Sequence, residues 1–450
     1  MSEDLDYSNV PVPSTARMPA GSLSMAWWAV GTAMFWLVIS ASLAMSFGTL
    51  NALAGMSIAV IVYAVTGGII SRYAIKTGLS VALFSRVLFG YHGALLATLI
   101  FFTGAIYYSV FEASVIAVAI QDYFPSLSLS QAYLIVIAYS VPLVFGSVQN
   151  WLGKLNGVLL PFYIIGLIAA VGLSIYQYGY TNAWLELGPS NELTGYGTWS
   201  CFTYFMGVFL TLMYAWDYAR FGREEDTEFH TKFNFGSPFF LFTILVNGIA
   251  GIFLVATIPT EGDLSEISVV LGLLKLMGFS GLIFIWVSQT RINTANFFMA
   301  IVNLESILQR LTSARIPKIV TAIFVGIIVY VVMLADVFSF LYQALSYLAI
   351  MVVAWVSIAV THILSPVYEK LMGSTLELRE HYVPAINPAG LLAWFLAAFV
   401  GLLFFNAGGQ WVASSSPATA IVASVVYLLM LKRAKRSWYV RDAIAKEQAS

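Results

Sequence analysis

Long apolar runs separated by short polar stretches dominate the chain. Runs long enough to cross a bilayer fall near 26–50, 53–75, 94–120, 131–149, 156–178, 198–216, 236–257, 279–301, 318–335, 338–362, 390–406 and 416–431. With about 20 apolar residues needed per crossing, and all backbone polar groups needing internal partners in lipid, each run predicts a membrane-spanning helix. They are numbered spans 1 to 12. Residues 1–25 are polar, carry Glu3, Asp4 and Asp6, and lack the apolar stretch of a cleavable signal, so they read as a disordered cytoplasmic tail. The expected organisation is a first five-helix unit over 26–178, a second over 198–362, two peripheral helices over 390–431, and a basic cytoplasmic tail over 432–450.

The basic residues test this count. Of the 21 Lys and Arg, all but two fall into alternate connecting segments: Arg17; Arg72, Lys76 and Arg86; Lys154; Arg220, Arg223 and Lys232; Arg310, Arg315 and Lys318; Lys370 and Arg379; and six in the C-terminal tail. The segments between carry acids such as Asp122, Glu186, Glu261 and Asp336. This asymmetry places both termini in the cytoplasm, and one miscounted span would break it. Lys275 and Arg291 are the exceptions. Lys275 sits in an amphipathic stretch, Ile267 to Met277, that predicts a short helix before span 8.

Composition adds exclusions. The 450 residues are 60% hydrophobic and 10% charged, far from the quarter charged of a soluble domain. A net charge of −1 argues against a nucleic-acid partner. One cysteine, Cys201, rules out a disulfide framework. The four histidines are scattered, so no metal site is expected.

Two spans look interrupted. Span 1 contains Ser40, Ser42, Ser46 and Gly48, and span 6 has Gly207 at its middle with Thr211 a turn later. Unwound backbone is tolerated in a membrane where it lines a cavity, and paired interruptions in two halves mark transporters built from inverted repeats. Glycine in a span also serves helix packing.

The segment Gly78 to Gly93, with Ser85-Arg86, Phe89-Gly90 and Gly93, resembles a motif of the cytosine/purine/uracil/thiamine/allantoin permeases, the nucleobase–cation symporters. Asp217-Tyr218-Ala219-Arg220-Phe221 resembles a second signature of that family, and the Asn-bearing middle of span 8 a third. The resemblance covers essentially the whole chain. It implies an all-α polytopic membrane protein of 12 transmembrane helices: a leucine-transporter-type 5+5 inverted repeat plus two peripheral helices, with a midplane site between spans 1, 3, 6 and 8. Arg86, Asp217 and Arg220 lie too near the interface to be substrate ligands. They are topology signals and headgroup contacts, or parts of a cytoplasmic gate.

Tyr108 and Glu112 stand four apart and share a face of span 3. The family resemblance implies an aromatic, usually Trp, stacked on a flat heterocycle, and a Gln on its edge; here they are Tyr and Glu. A carboxyl at mid-membrane is costly and needs a purpose: bonding ring N–H groups, carrying a proton, pairing with a cationic substrate, or packing against another span. In span 6, Gly207 and Phe209 match the family's glycine and second aromatic, with Phe205 the competitor for the latter role. Gln289, Asn293 and Asn296 form one polar stripe on span 8, and amides supply the donors and acceptors that a nucleobase edge needs. Ser42 of span 1 completes the expected substrate-binding set.

Arg291 stands too deep in span 8 to reach an interface easily. In sodium-coupled relatives, the two residues before the matching Asn carry the ion's hydroxyl ligands; here these positions hold Arg291 and Ile292. A fixed guanidinium can replace the ion, whereas a register shifted by one would bring Thr290 or Thr294 to the site. The expected function is a secondary transporter importing a small nitrogen-rich heterocycle, without organic cofactor, and with a proton or sodium as coupling ion. A guanidino-type organic cation is the alternative substrate. A channel or a membrane enzyme is disfavoured, because no filter-like repeat and no catalytic constellation appears. Small-molecule substrate and membrane lipid are the expected partners; the sequence is silent on oligomeric state.

Overall fold

The computed structural model describes residues 7, 10–144, 153–189, 191–259, 267–312, 316–335, 341–373 and 376–441. Glu3, Asp4, Asp6, Glu261, Arg315, Asp336 and the basic tail beyond 441, all used in the charge reading, lie outside them. The described residues are helical with no strand, and they supply twelve crossing units. Span 1 comprises Ala20–Trp27 and Met34–Phe47, and span 2 is Thr49–Thr77. Span 3 is Val81–Tyr123, span 4 Leu129–Leu143 and span 5 Gly153–Tyr178. Span 6 comprises Gly195–Met206 and Leu210–Ala219, and span 7 runs through Ser237–Phe240, Leu241–Val246 and Asn247–Thr257. Span 8 is Phe279–Thr312, span 9 Lys318–Met333, span 10 Leu341–Leu364, span 11 Pro388–Ala407 and span 12 Ser415–Leu431. The short helix expected before span 8 is present as Ser268–Met277.

Local chemistry sets several of these ends. Span 2 stops at Gly78, whose φ of 66° is the left-handed conformation that glycine adopts at helix C-termini. Ser80 caps the next helix by accepting from Leu83 N at 3.1 Å. Asn387 caps span 11, with Pro388 in the first turn.

Three expectations need correction. The interruption of span 1 lies at Trp28–Ala33, not among Ser40, Ser42 and Ser46, which sit inside the intact helix Met34–Phe47. Serine hydroxyls do not break a helix that neighbours bury on all sides. The motif segment before span 3 is itself helical from Val81, and joins span 3 through a kink at Gly90 (φ 82°, ψ 176°). Finally, the described part of the N-terminal tail is ordered. Val12 N donates to Gly78 O at 2.9 Å and Met18 N to Phe221 O at 2.7 Å. Arg17 bonds the carbonyls of Ile75 and Gly222. Backbone partners on spans 2 and 6 hold the segment although its own composition is polar.

Gly90 shows how the motif works. A break strands the last carbonyls of one helix and the first N–H groups of the next. The segment before span 11 meets both needs: Tyr91 N donates to Pro384 O at 2.9 Å and His92 N to Ala385 O at 2.8 Å, while Asn387 N donates to Phe89 O at 2.8 Å and Asn387 Nδ2 to Val87 O at 3.1 Å. A Cβ at Gly90 would collide with the backbone of Ile386 and Asn387, and its dihedrals belong to glycine. Gly90→Ala is therefore expected to cost about 2 kcal/mol or more, read as a lower melting temperature of the purified protein; an unchanged melting temperature would contradict this account.

Candidate substrate cavity

The break in span 1 is the foundation of the site. Its freed backbone groups are taken by side chains of spans 7 and 8 and of span 1 itself. Ser288 Oγ donates to Thr32 O at 2.6 Å, and Asn247 Nδ2 to Gly31 O at 2.6 Å. Trp36 Nε1 donates to Val30 O at 2.9 Å, and Met34 N donates to Gln289 Oε1 at 2.8 Å. Asn247 follows a wide π-helical turn at Leu241–Val246, of the kind found at functional sites. Gly31 lies against Thr243 and Phe239 with no room for a Cβ. Spans 7 and 8 thus hold open a backbone that lipid could not satisfy.

A small cavity of about 20 Å³, room for about one water molecule, lies beside this break. Tyr108 and Glu112 of span 3, Thr211 and Tyr214 of span 6, and Ile292 and Asn296 of span 8 line it, together with Phe35 and Trp36. Glu112 is buried and accepts a hydrogen bond from Gln289 Nε2. Gln289 therefore joins the carboxyl on span 3 to the first N–H of the second half of span 1. Tyr214 OH donates to Asn296 Oδ1 at 3.1 Å. Asn293 is on the same stripe, 1% exposed, and neither its amide oxygen nor its nitrogen has a hydrogen-bond partner. Buried amides in this state are costly. The Tyr108 hydroxyl is likewise buried without a hydrogen bond.

Other expected site residues lie elsewhere. Phe209 packs edge-on against Tyr63, with ring centroids 5.1 Å apart, instead of facing Tyr108; Phe205 is fully buried and its carbonyl accepts from Tyr63 OH. The aromatic next to Tyr108 is Phe35, at 5.7 Å. Gly207 starts a tightened turn in span 6, its N–H reaching Tyr204 O at 2.9 Å. It lines a separate pocket between span 6, span 10 and the segment joining spans 11 and 12. Ser42 is buried beyond the cavity wall. Thr211, noted in the sequence beside the span 6 interruption, lines the cavity; Trp36, Tyr214, Ser288 and Asn247 were not singled out from the sequence. Tyr214 had a signal, since it falls seven residues, or two turns, after Gly207; Asn247, alone in an apolar run, had one too.

Arg291 is fully buried on the other side of span 8. It lies three residues after Ser288, hence on the face that meets the span 1 break, and it interacts electrostatically with Tyr163. Tyr163 OH in turn donates to Asn247 Oδ1 at 3.1 Å. Thr290 pairs with Tyr139 of span 4 at 2.9 Å, and Thr294 Oγ1 donates to Thr290 O. Thr290 thus bonds to span 4, and Ile292 lines the cavity.

At the end of span 6, Asp217 accepts from Val81 N at 2.9 Å and lies 3.6 Å from Arg220. Arg220 also donates to Tyr7 O at 2.6 Å. Arg86 donates to Leu378 O at 3.1 Å. These charges tie the adjoining ends of spans 3 and 6 to neighbouring segments, and none is among the residues lining the cavity.

Comparison with solved structures identifies the architecture. A closed structure of Mhp1, a nucleobase-cation-symport-1 family transporter with bromovinylhydantoin bound, aligns over 95% of both chains with a TM-score of 0.73 at 16% identity. The chain has that transporter's fold. An inward-facing Mhp1 structure aligns over 95% of this chain and 93% of that one, with a TM-score of 0.74 at 13% identity. A Na+-coupled sialic acid symporter aligns over 96% and 92%, with a TM-score of 0.62 at 10% identity. No family model and no curated protein matches the sequence. The leucine-transporter-type fold expected from the motifs is the one found.

Proposed function

We propose that the protein is a secondary transporter of the nucleobase–cation symporter type, carrying a small, flat, nitrogen-rich heterocycle across the membrane by alternating access, with both termini cytoplasmic. The observation that carries this reading is the cavity beside the interrupted span 1, lined by Glu112 and Asn296, with the buried and unanswered amide of Asn293 on the same stripe of span 8. A ring with adjacent N–H and C=O groups would satisfy that amide and Glu112 together, and the aromatic wall of Tyr108, Phe35 and Trp36 suits a flat ligand. Mhp1 binds a hydantoin, a ring of this chemistry. A guanidino-type cation is the second reading. It is favoured by Glu112, which has no ion-pair partner among the described residues.

Gln289 supplies the coupling logic. Its amide holds Glu112 with one end and Met34 N with the other, so a change in the charge of Glu112 bears on the hinge of span 1. Glu112 is the proton carrier in this scheme, and Arg291 stands in for a sodium ion. Asn293→Ala should weaken binding of the transported ring at least about tenfold, corresponding to ~1.4 kcal/mol, while the protein inserts and folds normally. A thermal-shift screen against nucleobases, hydantoins and guanidino compounds, repeated on the variant, measures this. Equal shifts with both proteins would remove span 8 from the site.

A further inference from the structure

At the inner end of span 2 the surface forms a groove of about 480 Å³, separate from the central cavity. Its floor is apolar and faces the lipid: Val65 is 60% exposed and Leu364, at the end of span 10, 64%. Its rim carries Arg72 and Lys76, one turn apart on span 2, and Lys232 from the segment joining spans 6 and 7. Glu228 is the carboxylate bonded to this rim, at 2.6 Å from Arg72 and 3.0 Å from Lys232. Glu369 acts electrostatically at the Tyr73 edge. Three cations thus face two carboxylates, and Lys76 has no ion-pair partner among the described residues.

The two glycines at the base of the groove have different roles. Gly67 lies against the backbone of Phe235, where a side chain has no room, which brings the span 7 side close. At Gly68 a Cβ would meet only Thr231 O at an ordinary 3.5 Å, so its bare backbone leaves the floor open. An exposed apolar groove that ends in surplus positive charge suits a ligand with an apolar chain and an anionic head.

We propose that this groove binds an anionic glycerophospholipid, one acyl chain lying over Gly68 between spans 2 and 10 and the headgroup phosphate held by Arg72, Lys76 and Lys232. Chain and phosphate are both required: the cations alone are water-exposed and weak, and the apolar floor alone would not select a headgroup. Basic pockets between spans on the cytoplasmic side recognise lipid headgroups in this way. The bound lipid would bridge span 2, span 10 and the segment after span 6, and so brace the inner ends of elements that also contact the central site.

Native mass spectrometry of the delipidated full-length protein tests it, with phosphatidylglycerol, phosphatidylcholine and soluble glycerol 1-phosphate as separate probes. Phosphatidylglycerol should bind at least tenfold more tightly than phosphatidylcholine, and glycerol 1-phosphate should not bind measurably. Lys76→Gln should weaken phosphatidylglycerol binding about fivefold, the factor expected for one lysine near an anionic surface. Gly68→Leu, which fills the floor without touching charge, should weaken it at least as much. Should Gly68→Leu fail to fold, the surface substitution Lys76→Gln decides. Equal binding of both lipids, equal binding of glycerol 1-phosphate, or phosphatidylglycerol affinity unchanged in Lys76→Gln would each overturn the proposal.

Discussion

Replacing Glu112 by glutamine should abolish proton-driven accumulation of substrate while preserving exchange. The glutamine keeps the size of the side chain and an oxygen for Gln289 Nε2, so the cavity stays formed. What disappears is the group proposed to take up and release a proton. In proteoliposomes loaded with substrate, exchange should stay within about threefold of the unsubstituted protein, a change of less than ~1 kcal/mol. Uptake against a gradient should fall to the equilibrium level at every pH. A charged substrate would give a different pattern, because binding itself would then weaken tenfold or more. Undiminished accumulation by Glu112→Gln would exclude Glu112 as the carrier.

The second large effect concerns Arg291. On the proposed surrogate role of Arg291, which lies three residues after the Ser288 that bonds the Thr32 carbonyl, uptake should be unchanged when sodium is replaced by choline. Arg291→Ala should lose uptake altogether and lower the melting temperature. It empties the space of a fully buried side chain and leaves Tyr163, which bonds Asn247, without its charged neighbour. Loss of buried groups of this kind costs about 3 kcal/mol or more. Strict sodium dependence of the unsubstituted protein would refute the surrogate role directly.

The reach of the sequence differed from one part of the molecule to another. Span positions were legible because lipid imposes length and polarity on every crossing, and the interruption of span 6 because Gly207 stands in an otherwise bulky run. The stripe of Gln289, Asn293 and Asn296 was legible because amides are conspicuous among apolar neighbours. The break in span 1 was hidden: Trp28–Ala33 is nearly all apolar, and what stabilises it, Asn247 and Ser288, is more than 200 residues away in sequence. Phe209 was assigned by alignment alone, and with 32 phenylalanines in the chain only packing distinguishes a ring that faces ligand from one that faces Tyr63. The order of residues 10–19 could not be read, since it comes from carbonyls on spans 2 and 6 and not from the segment itself.

The contact at Gly90 gives the last two spans a mechanical role. Segment 384–387 completes the hydrogen bonding that span 3 cannot complete for itself, on both sides of the kink. Span 3 carries Tyr108 and Glu112 on the helix that starts at this kink. The C-terminal hairpin is therefore a splint for the helix that presents the substrate ligands. A chain ending after span 10 would keep every cavity residue and lose the rigidity of the rod on which two of them are mounted.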